Sequence, residues 1–277
     1  MNLTEQQIAT YHTEGFLIIP QCLTHNEIEL LSKELPMTID RDSPRIVLED
    51  NGAVRSVFAP HFVNETYLKL SKLKRFVQPS EQLIGNSLYL HQYKINTKKG
   101  LKGDWWEWHQ DFPYWHYDDG IKEPDLVNVM IYLQDTDSSN GALMLIPKSH
   151  QIGIAKFADK TNASTSRAAK YSDHLKKNDY ASSLNSDIKF TVDHDLLKSL
   201  ASQNGIFTAS GTRGTVVFFH SNLFHASNVN LTPFDRDAVL ITYNSTANLP
   251  ESVSYPRPDY LSGKDYCPIT DLQSSLL

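Results

Sequence analysis

The chain has little of what would place it in several common classes. Its 277 residues include only two cysteines, Cys22 and Cys267, at opposite ends. That spacing leaves no disulfide framework and fits a reducing compartment. No apolar run approaches the roughly 18 residues of a membrane span. Positive charge is not in excess: 26 Lys and Arg stand against 32 Asp and Glu, for a net charge of −6. No basic stripe is therefore available to neutralise nucleic-acid phosphates. The 12 glycines and 13 prolines are spread thinly, and neither a linker-like segment nor an internal repeat interrupts the chain. The opening Met1-Asn2-Leu3-Thr4-Glu5-Gln6-Gln7 is polar and lacks the apolar core of a signal peptide. We therefore expect a cytoplasmic protein with a small-molecule substrate and with neither membrane nor nucleic acid among its partners. Hydrophobic residues make up 40% of the chain, enough for a packed core, and residues 1–277 read as a single domain.

Local signals outline the architecture. Thr4-Glu5-Gln6-Gln7 and Thr24-His25-Asn26-Glu27 both have capping-box spacing, in which a Thr hydroxyl and a Gln or Glu three residues on satisfy each other's backbone donors. Each predicts a helix start, with Phe16-Leu17-Ile18-Ile19 as a buried strand between them. Asn51-Gly52 separates Arg45–Leu48 from Val54–Phe58 and predicts a hairpin. From Ser87 onward strand signals crowd together, at Leu88–Asn96, Leu126–Leu133, Ala142–Ile146, Gly214–Phe219 and Ala238–Tyr243. Several strands without long helices between them favour an antiparallel barrel or double sheet. The polar stretch from about 156 to 213 reads as an insertion beside the site, in the manner of a lid. Within it, Asp193 to Gly205 has a helix pattern.

The chemistry concentrates at His109-Gln110-Asp111. This segment lies within Trp105–Trp115, which holds all four tryptophans of the chain. An arbitrary H-x-D is usually an ordinary hydrogen-bonded pair. Here His225 and then Arg236 follow far along the chain, and that changes the reading. Two imidazoles and one carboxylate can occupy one face of a ferrous ion and leave other positions open, the arrangement of non-haem iron oxygenases. On a strand, alternation would project His109 and Asp111 together and turn Gln110 away. His225 is preferred over His220 because Ser227 and Arg236 follow it. Arg236 offers a fixed bidentate fork to a dicarboxylate. Trp108 and Trp115 are placed against the substrate, whereas Trp105 and Trp106 remain unassigned. His116 is a further candidate for the pocket lining, and His150 is read as bonding a loop.

At these residues the chain resembles the phytanoyl-CoA dioxygenase family of Fe(II)/2-oxoglutarate oxygenases, nearest its branch of ectoine hydroxylases and leucine-type free-amino-acid hydroxylases. The resemblance rests on Leu90–Asn96, Trp108–Phe112 with Trp115 and Asp119-Gly120, Asn140–Leu143, Pro147–His150, and His225-Ala226-Ser227 with Arg236. It implies a mainly β protein with a double-stranded β-helix (jelly-roll, cupin-like) core surrounded by α-helices. It also implies Fe(II) on His109, Asp111 and His225, with 2-oxoglutarate on Arg236, Ser227 and Lys94 and O2 as oxidant, and ascorbate as a helpful additive. The implied reaction hydroxylates an unactivated C–H bond and releases succinate and CO2. Gln110 and Pro113-Tyr114 depart from the ectoine hydroxylase segment, while 91–98 and 255–260 look leucine-type. A leucine-like free amino acid, or a close derivative, is therefore the expected substrate, with Gln92, Arg55, Trp108 and Trp115 as substrate contacts. The alternatives are an ectoine-like zwitterion, a phosphonate, or a carrier- or CoA-bound substrate. For a phosphate-bearing substrate, Lys98, Lys99 and Lys102 are the obvious cluster. A metal-binding protein without turnover is the rival from another class, and it has no use for Arg236.

Overall fold

The computed structural model describes residues 1–155, 190, 192–270 and 272–277. The chain begins with α1 (Glu5–Glu14), β1 (Phe16–Ile19) and α2 (His25–Glu34). Both capping boxes form, at Thr4 with Gln7 and at Thr24 with Glu27. The hairpin β2 (Ile46–Leu48) and β3 (Val54–Phe58) follows, then α3 (Glu65–Ser71), α4 (Lys74–Ile84) and the long β4 (Leu88–Lys98). Next come β5 (Trp106–His109), α5 (Phe112–Asp119), β6 (Leu126–Tyr132) and β7 (Leu143–Leu145). The helix expected from Asp193 to Gly205 is α6 (His194–Asn204), capped by the Asp193 carboxylate on the amides of Asp195 and Leu196. Four strands close the chain: β8 (Phe207–Ala209), β9 (Val216–His220), β10 (His225–Ser227) and β11 (Arg236–Ser245). The lid reading at about 156–213 falls mostly on 156–189, which lies outside the described residues.

Two antiparallel sheets face each other. The larger has seven strands in the order β1-β9-β6-β11-β4-β3-β2, and the smaller has four in the order β5-β10-β7-β8. Around the site, in the runs β9-β6-β11-β4 and β5-β10-β7, strands adjacent in space are distant in the chain, as in a jelly-roll. The central strands of the large sheet are covered on both faces, which is why they read as nearly continuous apolar runs. Alternation still sorts them. Val127, Val129 and Ile131 of β6 and Val239, Ile241 and Tyr243 of β11 pack outward on the core shared with α2, α3 and α4. Met130, Tyr132, Ala238 and Leu240 point inward, toward Leu143 and Leu145 of the small sheet. Burying an aliphatic side chain of this kind contributes roughly 1.5–3 kcal/mol, so a one-residue slip that exchanged these sets would be strongly disfavoured.

One local feature departs from what the sequence suggests, and a second, the helix stop near Gly15, agrees with it. Helix α4 contains Pro79 in its interior. The residue lacks the N–H that would reach the Arg75 carbonyl, so propensity argues against a helix there. Burial of Phe76, Val77, Ser80 and Leu83 on one face overrides it. At Gly15 the backbone turns left-handed (φ 86°) to end α1, and a Cβ would lie 2.5 Å from His150 Nδ1. Only glycine fits both constraints.

Candidate active site

The segment carrying His109 and Asp111 is not one continuous strand. β5 ends at His109, and Asp111 stands at the entrance of α5 with helical backbone angles (φ −75°, ψ −38°). Pro113 lies in the first turn of α5, where its missing N–H costs nothing, so the helix starts immediately. The two side chains converge across a strand-to-helix corner, which corrects the expectation of simple alternation. Gln110 does turn away: its amide donates to the carbonyls of Gly153 (2.8 Å) and Asn222 (2.7 Å) and accepts from the Ala155 amide (3.0 Å). It pins the corner to the loop before β10.

β10 then sets His225 directly opposite His109, with ring centroids 4.1 Å apart. Asp111 Oδ1 lies 3.7 Å from His109 Nε2, and Asp111 Oδ2 lies 3.7 Å from His225 Nε2. These gaps exceed hydrogen-bond reach. The three buried ligand atoms lie within 4.8 Å of one another, so they surround a point rather than pair off. Each imidazole turns Nδ1 to a backbone carbonyl two residues earlier, His109 to Glu107 (2.6 Å) and His225 to Leu223 (3.0 Å). Nδ1 therefore carries the proton, and the Nε2 lone pair faces the site. Burial, with His225 alongside, pushes His109 down to about 3, and burial also lowers His225. Both rings are thus neutral, as metal ligands must be. Burial would raise the Asp111 carboxyl, but its surroundings, including Lys94 and a hydrogen bond from Asn128, hold it below its ordinary value. Two neutral imidazoles and an ionised carboxylate on one face fit iron(II).

Asn128 was not singled out in the sequence. Its Nδ2 donates to Asp111 Oδ2 (2.9 Å), and its Oδ1 accepts from the Thr242 hydroxyl (2.7 Å). The available signal was an Asn and a Thr interrupting the apolar runs of two strands at inward positions. Arg236, at the start of β11, is 1% exposed and donates to the carbonyls of Asn140 (3.3 Å) and Gly141. Ser227 is buried on the same face of β10 as His225. Lys94 and Lys98 share the inward face of β4, Lys98 directly across from Arg236.

The chain that carries this trio and the buried Arg236 matches a known family model, phytanoyl-CoA dioxygenase (PhyH), over residues 11–238. The chain belongs to the phytanoyl-CoA dioxygenase family. It is 32% identical over 269 residues to the L-proline trans-4-hydroxylase of Streptomyces griseoviridis, covering 96% of this chain and 95% of that protein. It is 31% identical over 277 residues to the ectoine dioxygenase of Streptomyces avermitilis, covering 96% and 88%. Among solved structures, EctD from S. alaskensis with 2-oxoglutarate and 5-hydroxyectoine superposes with a TM-score of 0.81 at 26% identity, covering 99% of this chain and 89% of that one. The same protein with bound Fe gives a TM-score of 0.78.

The aromatic segment of this dioxygenase is rearranged by a bulge. His225 pairs with His109, but Ser227 pairs with Trp106, so β5 carries one extra residue. Trp106 is thereby brought beside His109, with ring centroids 6.4 Å apart. Trp108 instead packs against Ile146, Leu200 and Phe224, together with α6. The unassigned tryptophan therefore borders the metal site, and the one placed against the substrate joins a hydrophobic cluster. Arg55, expected at the substrate, pairs with Glu49 (2.9 Å), donates to the Trp105 carbonyl (2.9 Å) and stacks 3.7 Å over the Trp106 ring. Its charge is matched and its guanidinium braces Trp106. Gln92 Nε2 donates to the Leu261 carbonyl (2.7 Å), leaving Oε1 as the end on offer.

Trp115 is 2% exposed and meets His91 edge-on at 5.4 Å. His91 lies 3.3 Å from Asp119, and Asp119 holds Arg257 through Nε (2.7 Å) and Nη2. None of these three residues was assigned from sequence, because Asp119 and Arg257 come together only through the fold. His220 stays outside the trio, its Nδ1 accepting from the Asn222 amide (3.0 Å). His150, expected to bond a loop, instead contacts the His12 carbonyl in the last turn of α1 (3.1 Å). His116 Nδ1 is spent on the Ile121 carbonyl (2.7 Å).

Proposed function

We propose that this dioxygenase hydroxylates an unactivated C–H bond of a small free amino acid, leucine-like or a close derivative. The protein is an iron(II)- and 2-oxoglutarate-dependent hydroxylase of its family, related to proline and ectoine hydroxylases. His109, Asp111 and His225 hold the iron, and Arg236, Ser227 and Lys94 receive 2-oxoglutarate. Bound iron supplies the oxidation of the C–H bond by O2, coupled to decarboxylation of 2-oxoglutarate to succinate and CO2. The protein's part is positional. The two Nδ1–carbonyl bonds and the Asn128 bond fix the ligands before the metal arrives. The walls of Trp106 and Trp115 keep water from the reacting carbon. Gln92 Oε1 accepts from the substrate ammonium in this reading, which the orientation of its amide by the Leu261 carbonyl supports.

The observation that carries the small-substrate reading is the fate of the only obvious phosphate-binding cluster. Lys98 is 1% exposed, with Nζ bonded to the carbonyls of Asp104 and Asn228. Lys99 is paired with Asp235 (2.6 Å). Of the three lysines only Lys102 is both exposed and outside these pairings, so among the described residues no clamp for a CoA or carrier phosphate forms there. The L-proline hydroxylase relative, matched over 95% of its length, favours an amino acid. The likeness to ectoine dioxygenases keeps ectoine as the second reading, against which Gln110 and Pro113-Tyr114 weigh.

The test is incubation with Fe(II), 2-oxoglutarate, ascorbate and a pool of free L-amino acids plus ectoine, read by mass spectrometry, with His109→Ala as control. One added oxygen on an amino acid, absent in the variant, is the expected result. Oxidation of ectoine alone selects the second reading, and succinate formation without any oxidised product from this pool overturns both.

A further inference from the structure

Among the described residues two aromatic side chains meet the candidate iron ligands. Phe219 lies against His225, with ring centroids 5.1 Å apart, and Trp106 lies 6.4 Å from His109. Phe219 is fully buried, packed with Tyr132, Leu143 and Leu145 in the inward cluster. Trp106 is only half-buried. It also borders Lys94, whose Nζ is 5.9 Å from the centre of the indole and whose charge acts on Asp111. Trp106 therefore sits beside the ligand set, on the side that Lys94 occupies.

The indole is clamped in that place. Arg55 Cζ stacks 3.7 Å over its ring, and Arg55 is itself fixed by both Glu49 oxygens (2.9 Å each) and the Trp105 carbonyl (2.9 Å). A guanidinium tied down on its other edges holds an aromatic face without further ordering. Indole is also more electron-rich, and more easily oxidised, than the phenyl ring of Phe219. An oxidising site is protected from side reactions when substrate fills it. With no amino acid in place, the C–H bonds beside the trio are the protein's own, and Trp106 carries the most reactive of them.

We infer that Trp106 is a modification site: when O2 and 2-oxoglutarate are consumed with no amino acid bound, its indole takes the oxygen meant for substrate and becomes hydroxytryptophan. The inference rests on the reading of His109, Asp111 and His225 as the iron ligands. The balance is that of the hydroxylation itself. One atom of O2 ends in succinate, CO2 leaves, and the other atom enters a ring C–H bond of Trp106. That C–H bond breaks, a C–O and an O–H bond form, and the ring hydrogen ends on the new hydroxyl. The indole and 2-oxoglutarate each give up two electrons, and O2 accepts all four. The ring is spent in place of His109, whose oxidation would cost the site a ligand.

The test is incubation of the full chain, loaded with Fe(II), with 2-oxoglutarate and isotopically labelled O2 but no amino acid, followed by peptide mass spectrometry. The expected result is one labelled oxygen on Trp106, at a single ring position, rising with succinate. It should vanish when the inert analogue N-oxalylglycine replaces 2-oxoglutarate, and Trp106→Phe should lose most of the label from residues 105–108. Succinate formation with Trp106 unlabelled overturns the inference, as does no succinate in the absence of an amino acid. Label scattered over exposed residues such as Trp105, or arising without 2-oxoglutarate, overturns it too, since free iron chemistry would then explain it. His109→Ala separates the two levels: label at Trp106 as in wild type would remove the iron-ligand reading as well. If the pool of free amino acids is oxidised while Trp106 stays unlabelled in their absence, the inference alone falls.

Discussion

Replacing Asn128 by Leu would remove the one side-chain hydrogen-bond donor, among the described residues, to Asp111, the carboxylate we assign to the iron. Asn128 is 1% exposed, with its amide between Asp111 Oδ2 (2.9 Å) and the Thr242 hydroxyl (2.7 Å). Leucine keeps much of the shape but offers neither group a partner. Loss of a partner behind a ligand typically costs about 10- to 100-fold in metal affinity, or roughly 1.4–2.7 kcal/mol. Separately, the stranded Thr242 hydroxyl costs about 1–3 kcal/mol of fold stability. The two effects can be told apart. Adding Thr242→Val removes the stranded hydroxyl and should restore most of the melting temperature measured in chelator, yet leave metal affinity low, because Asp111 still lacks its donor. Anaerobic titration with Fe(II) or Co(II) supplies the affinity. Metal binding within twofold of wild type in Asn128→Leu, or its recovery in the double variant, would refute the argument that this amide fixes the carboxylate.

The bulge in β5 predicts opposite behaviour for two neighbouring tryptophans. Trp108→Ala should lower stability by about 2–3 kcal/mol, somewhat less than a fully buried ring, whereas Trp106→Ala should leave the melting temperature nearly unchanged and lower kcat/KM; parallel melts and kinetics check both. Asp237 is a buried carboxyl whose Oδ1 has no hydrogen-bond partner among the described residues, and burial raises it to about 6. A raised carboxyl favours the fold only while protonated, and that contribution is lost as pH rises from about 4 through about 6. Asp237→Asn should therefore stabilise by at most about 3 kcal/mol at pH 8 and have no effect at pH 4, which melts across pH would reveal. Burial raises Asp119, but Arg257 outweighs it and holds the carboxyl well below its ordinary range. Its contribution is present above about pH 4 and lost only in stronger acid. Asp119→Asn strands a buried guanidinium and should cost about 3–5 kcal/mol near neutral pH, the deficit narrowing below about pH 4. Equal acid limbs in denaturation of the two proteins would contradict this.

What could be read without the fold was whatever is encoded within a few residues. The capping boxes at Thr4 and Thr24, the Asp193-to-Gly205 helix and the Asn51-Gly52 hairpin depend on side chains three or four positions apart, and each formed as read. The strands around the site were legible as apolar runs because both faces of the large sheet are covered. The candidate metal trio was legible because two imidazoles and a carboxylate followed by an arginine form a chemically restricted set, and the fold brings the three side chains together. Tertiary structure decided the rest. Whether Trp106 or Trp108 borders the metal depends on one extra residue in β5 opposite β10, and no periodicity within 106–109 reveals a bulge created by pairing. Arg55 could have met a substrate or a carboxylate of the chain; the hairpin that places Glu49 beside it settled that. Arg257 and Asp119, 138 positions apart, and Lys98 beside Arg236 became visible only once distant strands and the tail had been brought together. Local capping and patterning act through neighbours in sequence, whereas ion pairs and strand register act through neighbours in space, which the folded chain alone defines.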